Sequence, residues 1–315
     1  MRHPQKLIVF FFIVSLCLLG SAPAMAATTQ VHVARYAHDN STILSDLIVT
    51  YPWMMANLPV HGDGTTHYYA QGPVVVDNPD PVIEQQMRWN PAENANVLDK
   101  DMGAVKGTNL RDLCDLVGGM SPGEKVKIRS SDGFTKWFAY KNVYDYSPKE
   151  GPMVLTWYCA GLPSYTGPYP DTGYSDGMRI VWFADDSTNP WDAHAFGNWD
   201  WHEAADPEYW YYYVSGTEQY PTTTGLSAKY VSEILIYSHD PPFKVFPGCS
   251  NPPANIDGDP FYEDINGNGR MDFNDIIRYF KNMAWIEDQQ ITPYFDYNGN
   301  GRIDFNDLIL LFKEI

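Results

Sequence analysis

The chain has 315 residues and carries 21 Lys+Arg against 39 Asp+Glu, a formal net charge of −18. That balance excludes a nucleic-acid binder that relies on a basic patch, and equally a protein that docks on an anionic membrane surface. With 44% hydrophobic and 15% aromatic residues the chain has ample core material, which excludes wholesale disorder, and its length suits one large domain plus a small one, or two medium ones.

Arg2 and Lys6 precede an apolar run, Leu7 to Gly20, and Ala24-Met25-Ala26 supplies the small residues a signal peptidase requires. The run is too short to span a bilayer comfortably, so residues 1–26 are expected to be a removable export signal. Cys17 follows the bulky Leu16, which does not suit a lipoprotein cleavage site. No later segment is apolar and long enough to span. The expectation is a secreted, extracellular protein whose attachment to a cell surface, if any, is non-covalent. Beyond the signal stand Cys114, Cys159 and Cys249. An oxidising compartment permits one disulfide, for which Cys114–Cys159 is the expected pair, or all three remain buried thiols.

Residues 27–245 alternate short β-rich runs with turn signals. Val126–Arg129, Trp137–Tyr140, Met153–Trp157, Arg179–Phe183 and Glu233–Tyr237 are expected strands. One helix is expected where Thr108 or Asn109 caps, Leu110, Leu113, Leu116 and Val117 face inward, and Gly118-Gly119 stops the run. An α+β, strand-rich domain follows. His61, His67, His194 and His202 could assemble a metal or haem site oriented by Glu203 or Asp63, although their spacings match no short ligand motif. Asp200, Glu203, Asp206 and Glu208 could include a glycosidase acid/base pair. The cluster Trp199, Trp201, Tyr209, Trp210, Tyr211, Tyr212 and Tyr213 is either a stacking platform for sugars or core.

The stretch from Pro241 to Pro253 holds five prolines and cannot propagate a helix or a central strand, so 246–254 is expected to be a linker. Residues 255–315 then show an internal repeat of period 32. Asp264, Asn266, Asn268, Asp272 and Asp275 return as Asp296, Asn298, Asn300, Asp304 and Asp307, placing oxygen side chains at loop positions 1, 3, 5, 9 and 12. Gly269 and Gly301 fill position 6, where the chain must turn, and position 7 (Arg270, Arg302) would offer a backbone carbonyl. A hard cation with six or seven oxygen ligands requires that pattern, so two Ca²⁺ are expected. Aspartate at position 12, in place of the longer glutamate, predicts weaker or more geometry-dependent binding. Asp257-Gly258-Asp259 just upstream reads as a turn that could add ligands. Each loop leads into an amphipathic helix bearing Phe273, Ile276, Ile277 and Phe280, then Phe305, Leu308, Ile309 and Phe312. That spacing puts four residues on one face, and the two faces are expected to pack together as a small core. With 12 acids against 5 bases the segment carries −7, so folding is expected to be linked to metal.

Paired calcium loops, each followed by a helix and lacking the helix before it, resemble a dockerin domain, of the kind found at the C-termini of exported archaeal proteins. The resemblance covers about 60 residues and implies a cohesin-like partner on a scaffold or cell-surface protein. It departs from the common pattern at loop positions 10 and 11. Phe273-Asn274 and Phe305-Asn306 stand where bacterial dockerins carry small hydroxyl residues that contact the cohesin. More weakly, Val105–Gly119 followed by Val126–Phe134, with Gly177-Met178-Arg179 later, resembles the molybdopterin-binding fold of the sulfite oxidase family. That family's metal-ligating cysteine precedes the helix, whereas residues 27–104 contain no cysteine, and Cys159-Ala160-Gly161 lies in the wrong order. The resemblance therefore implies the fold without the cofactor. The expected function is an exported protein docked through its calcium module, the large domain binding a glycan or small-molecule ligand. The alternatives are a dockerin-bearing polysaccharide hydrolase, a molybdopterin-type oxidoreductase, or a structural surface component.

Overall fold

The structure, a computed structural model, describes residues 28–162, 165–168, 177–185, 190–240 and 245–315. The expected export signal and residues 241–244 of the proline-rich stretch lie outside the described residues. No helix among the described residues is long and apolar enough to cross a membrane.

The architecture is mixed α/β and strand-rich. Strands β1 (Gln30–Tyr36), β2 (Ile43–Thr50), β5 (Lys125–Ser130), β6 (Thr135–Ala139) and β13 (Val231–Tyr237) form a five-stranded sheet in the order β2-β1-β13-β5-β6. Within it β1 and β13 run parallel, with Val33 opposite Ile234 and Arg35 opposite Ile236. A second sheet has the order β10-β3-β4-β7-β8 and comprises β3 (His67–Ala70), β4 (Asp101–Asn109), β7 (Met153–Leu162), β8 (Tyr165–Pro168) and β10 (His194–Phe196). Strand β9 (Arg179–Trp182) pairs with the first half of β7, whose second half pairs with β8. The strand period of two decides which side chains go inward. On β5, Val126 and Ile128 are buried while Lys125 is exposed, and on β9, Ile180 and Trp182 join one apolar cluster while Val181 joins another. The main core takes residues from both sheets: Val31, Val33, Val126, Ile128, Phe138 and Ile234 from the first, Met153, Leu155, Trp157, Ile180 and Phe196 from the second.

Each of the five expected strands and the expected helix α3 (Leu110–Asp115) is present, after the short helices α1 (Tyr51–Asn57) and α2 (Pro81–Trp89). Asn109 is the cap of α3, its side-chain oxygen accepting from the Arg111 N–H at 3.0 Å. Helices α4 (Tyr140–Tyr144) and α5 (Asn198–Ala204) and the hairpin β11 (Tyr212–Ser215) with β12 (Glu218–Pro221) complete this region. The expected Cys114–Cys159 bridge does not form. All three cysteines are free, and Cys114 and Cys159 sit in separate apolar clusters, so their sulfurs have no common site. Cys159 is sealed behind Gly103, where an added Cβ would come within 2.4 Å of its sulfur, so it cannot serve as an open metal ligand.

A third cluster draws only on residues from Phe246 onward: Phe246, Ile265, Ile276, Tyr279, Ile286, Ile291, Phe295, Ile303, Leu308 and Leu311. Two helices frame it, α6 (Phe273–Asp288) and α7 (Phe305–Lys313). The expected linker is not a free tether. Phe246 is fully buried against Trp285 and Phe295, with ring centroids 4.7 and 5.2 Å away, because a proline-rich backbone needs no ladder partner and can lie along the helix. The expected helical stripe also divides. Only Ile276 and Leu308 of its eight residues face the core, where Tyr279, Ile286 and Leu311 join them. Phe273, Ile277, Phe280, Phe305, Ile309 and Phe312 are exposed. Aromatic rings from the connecting segments, Phe246 and Phe295, fill the space the second stripe was expected to occupy.

Candidate metal centre

Each repeat loop is built by the residue that ends it. Asp275 accepts from the N–H of Asn266 at 3.1 Å with one oxygen and from that of Asp272 at 2.8 Å with the other. Asp307 repeats this on Asn298 at 3.0 Å and Asp304 at 2.8 Å. Asp272 and Asp304 are the N-caps of α6 and α7, and Asp275 and Asp307 complete reciprocal capping boxes. One carboxylate thus closes the loop and starts the helix. At position 1, Asp264 accepts from Asn268 and Gly269 at 3.0 and 2.7 Å, and Asp296 from Asn300 and Gly301 at 3.0 and 2.6 Å. The expected turn at position 6 is left-handed, φ +81° at Gly269 and +83° at Gly301, with no atom within 4 Å of an added Cβ. Conformation, not space, demands glycine at both.

The sites are acidic and partly dry. Asp264, Asp275, Asp296 and Asp307 are buried. Burial pushes the carboxyls of Asp275 and Asp307 up, the neighbouring loop carboxylates adding to the rise and the backbone N–H bonds opposing it. Arg302 donates to Asp304 at 3.1 Å, and Asn300 donates to the same oxygen at 2.9 Å. The donors offered, Asp264, Asn266, Asn268, Asp272 and Asp275 with their repeats, are all oxygen, the set that suits a hard cation.

Carboxylates converge most tightly elsewhere. Asp257, Asp259 and Glu263 bring three carboxylate oxygens within 4.8 Å of one another, the one such group among the described residues, and they can hold a metal ion. Asp257 and Asp259 are exposed, whereas Glu263 is fully buried and neither of its oxygens has a hydrogen-bond partner. Burial pushes the Glu263 carboxyl up to about 7, Asp259 and Asp257 add to the rise, and the N–H groups of Glu263 and Ile256 oppose it without making a hydrogen bond of normal geometry. The sequence marked Asp257 and Asp259 as a turn but gave no sign that Glu263 would be buried behind them.

Among the described residues the strand-rich region gathers no comparable site. The four histidines do not assemble into a metal group. His67 bonds Asp101 at 2.8 Å, His61 lies 3.9 Å from Asp112, His194 bonds the Ala184 carbonyl at 2.7 Å, and His202 stacks between Trp199 and Trp210. Glu203 lies beside Lys149 at 3.9 Å, and Asp63 caps its own turn through Thr65 and Thr66. Of the four candidate glycosidase acids, Asp206 pairs with Lys141 at 2.9 Å, and Glu208 is exposed. Asp200 is buried, and its close neighbours are Glu93 and Lys149, the latter 3.8 Å away. Burial, with the Glu93 charge adding, pushes Asp200 up to about 8. In the aromatic cluster Trp201 and Tyr209 are core and Tyr213 is the exposed ring. A cleft of about 570 Å³ opens instead beside Arg35, Asp240, Val245, Pro253 and Tyr262.

No protein-family model, no curated protein and no solved structure matches this chain.

Proposed function

We propose that residues 255–315 are a dockerin-like module that binds two Ca²⁺ through its repeat loops and docks the exported chain on a cohesin-like domain of a scaffold or cell-surface protein. The strand-rich region is then the cargo. One observation carries the reading: six of the eight apolar stripe residues repeated in the two helices, all but Ile276 and Leu308, are outside the core. Phe273, Phe280, Phe305 and Phe312 are 60%, 56%, 59% and 57% exposed. They meet crosswise, Phe273 edge-on to Phe312 at 6.5 Å and Phe280 edge-on to Phe305 at 6.4 Å, as an approximate twofold axis between antiparallel helices requires. Ile277 and Ile309 lie between them in sequence and are exposed too. Contiguous apolar surface of this kind on a soluble protein marks an interaction site.

Charge supports a partner of defined chemistry. The repeat also brings Arg270 and Arg302, and Lys281 and Lys313, into equivalent positions, and all four are exposed. Two Ca²⁺ would offset four of the six loop carboxylate charges, leaving an aromatic face with these four basic residues near its ends. Its complement is an apolar patch ringed by Asp and Glu. The phenylalanines at position 10 take the place of the hydroxyl residues of bacterial dockerins, so this partner reads bulk rather than hydroxyl groups. The test passes an envelope extract of the same organism over immobilised full-length chain. A cohesin-like protein retained in calcium, released by chelator and not retained by the Phe280→Asp/Phe312→Asp chain is expected. Retention that survives both chelator and the substitutions refutes the docking role.

A further inference from the structure

We propose that Asp257, Asp259 and Glu263 form a third cation site, for calcium, distinct from the two repeat loops. Glu263 carries the argument. A carboxylate with 0% exposure and two oxygens without a hydrogen bond of normal geometry has lost its hydration, and the nearby N–H groups of Glu263 and Ile256 only partly offset that loss. Its oxygens do not point into apolar core alone; one of them shares a 4.8 Å neighbourhood with carboxylate oxygens of Asp257 and Asp259. Calcium bonds oxygen at about 2.3–2.6 Å, so two ligands on opposite sides of one ion stand about 4.6–5.2 Å apart. The observed spread fits one ion among the three.

The sequence around the triad has the same phase as the loops. Asn255, Asp257, Asp259 and Glu263 stand at the offsets of Asp264, Asn266, Asn268 and Asp272, and of Asp296, Asn298, Asn300 and Asp304. The segment is closed at its base, where Ala254 and Asp264 exchange two backbone hydrogen bonds of 2.9 and 3.2 Å. Phe261 lies 5.6 Å from the Tyr297 ring, and the Tyr297 hydroxyl donates to the Tyr262 carbonyl at 2.7 Å, so the loop is already held against the second repeat. Glu314, the C-cap of α7, is close enough to Asp257 and Asp259 for both to raise its carboxyl, burial being the larger cause. An ion here would fasten the segment leading from the strand-rich region to the helices that carry the aromatic face. Three carboxylates and an oxygen-only donor set favour calcium over softer metals.

The test counts ions. Full-length chain, stripped with chelator and dialysed against calcium, is assayed for bound calcium by elemental analysis, beside the Glu263→Gln chain and the Asp257→Asn/Asp259→Asn chain. Three ions per wild-type chain and two in each variant are expected. The exposed pair keeps the test valid if Glu263→Gln does not fold. A purely structural Glu263 is separated by melting. Glu263→Gln, which removes an unpaired buried carboxyl, should melt no lower than wild type in chelator and lower than wild type in calcium. Two ions in wild type and in the variants overturn the third site and leave the loops standing. One ion in wild type and none in either variant supports it and overturns the loops, and three ions retained in both variants overturn it outright.

Discussion

Replacing Tyr279 by alanine and, separately, Phe280 by alanine sets two neighbouring rings of α6 against each other. Tyr279 is fully buried, and its hydroxyl donates to the Phe295 carbonyl at 2.7 Å. Emptying that space should cost about 3–5 kcal/mol, including the lost hydrogen bond. Phe280 is 56% exposed. If an aromatic side chain presents about 200 Å², the covered part is roughly 90 Å², at most about 2 kcal/mol at 25 cal/mol per Å². A compact unfolded chain and the retained Cβ lower this to about 1 kcal/mol. The difference of about 2–4 kcal/mol corresponds to a roughly 30- to 1,000-fold difference in local opening. Hydrogen exchange read by mass spectrometry on α6 peptides of the calcium-loaded full chain measures it directly. Equal loss of protection in the two variants would refute the division of the helix into a buried and a docking face.

The strand-rich region should lose stability as the pH rises. Burial pushes Glu150 and Asp200 up to about 8, whereas the unfolded chain ionises both near about 4. The folded state therefore holds the protons longer; its advantage is complete below about pH 4 and is lost as the pH climbs through about 8. Melting in chelator should fall from pH 5 to pH 9, and Glu150→Gln, which can still accept from Asn142, should flatten the slope; a flat wild-type profile contradicts this. Gly269→Ala and Gly301→Ala each place a side chain at positive φ, worth about 1–2 kcal/mol, so calcium affinity of that loop should fall roughly 5- to 30-fold. A calcium titration that is unchanged by either substitution would remove the turn argument.

Much of the local structure was legible because it is encoded locally. Asn109 before Leu110 announced a capped helix, and β5 showed itself by alternating Lys125, Lys127 and Arg129 with Val126 and Ile128. The repeat loops were legible down to the positive φ of Gly269 and Gly301. What failed depended on distant partners. The stripe of Phe273, Ile277 and Phe280 has the period of a core face, but α6 carries a second apolar stripe in Ile276, Tyr279 and Ile286. The choice between them was made by Phe246 and Phe295, which no periodicity in the helix reveals. The histidines failed for another reason: each found its own partner, and nothing in their spacing required them to meet. Glu263 was silent because burial of a glutamate behind Asp257 and Asp259 is a property of the folded chain alone.

Calcium-dependent folding of the C-terminal repeats is tested most directly by differential scanning calorimetry of the full-length chain, in calcium and in excess chelator. At 100 times its dissociation constant each bound ion should add about 2.7 kcal/mol to the unit that holds it. For a segment of about 60 residues that corresponds to a rise of roughly 10 °C or more per ion. The account predicts two transitions, one insensitive to calcium for the strand-rich region and one that moves strongly upward with calcium for the α6–α7 unit. A trace in which neither transition responds to calcium would contradict it.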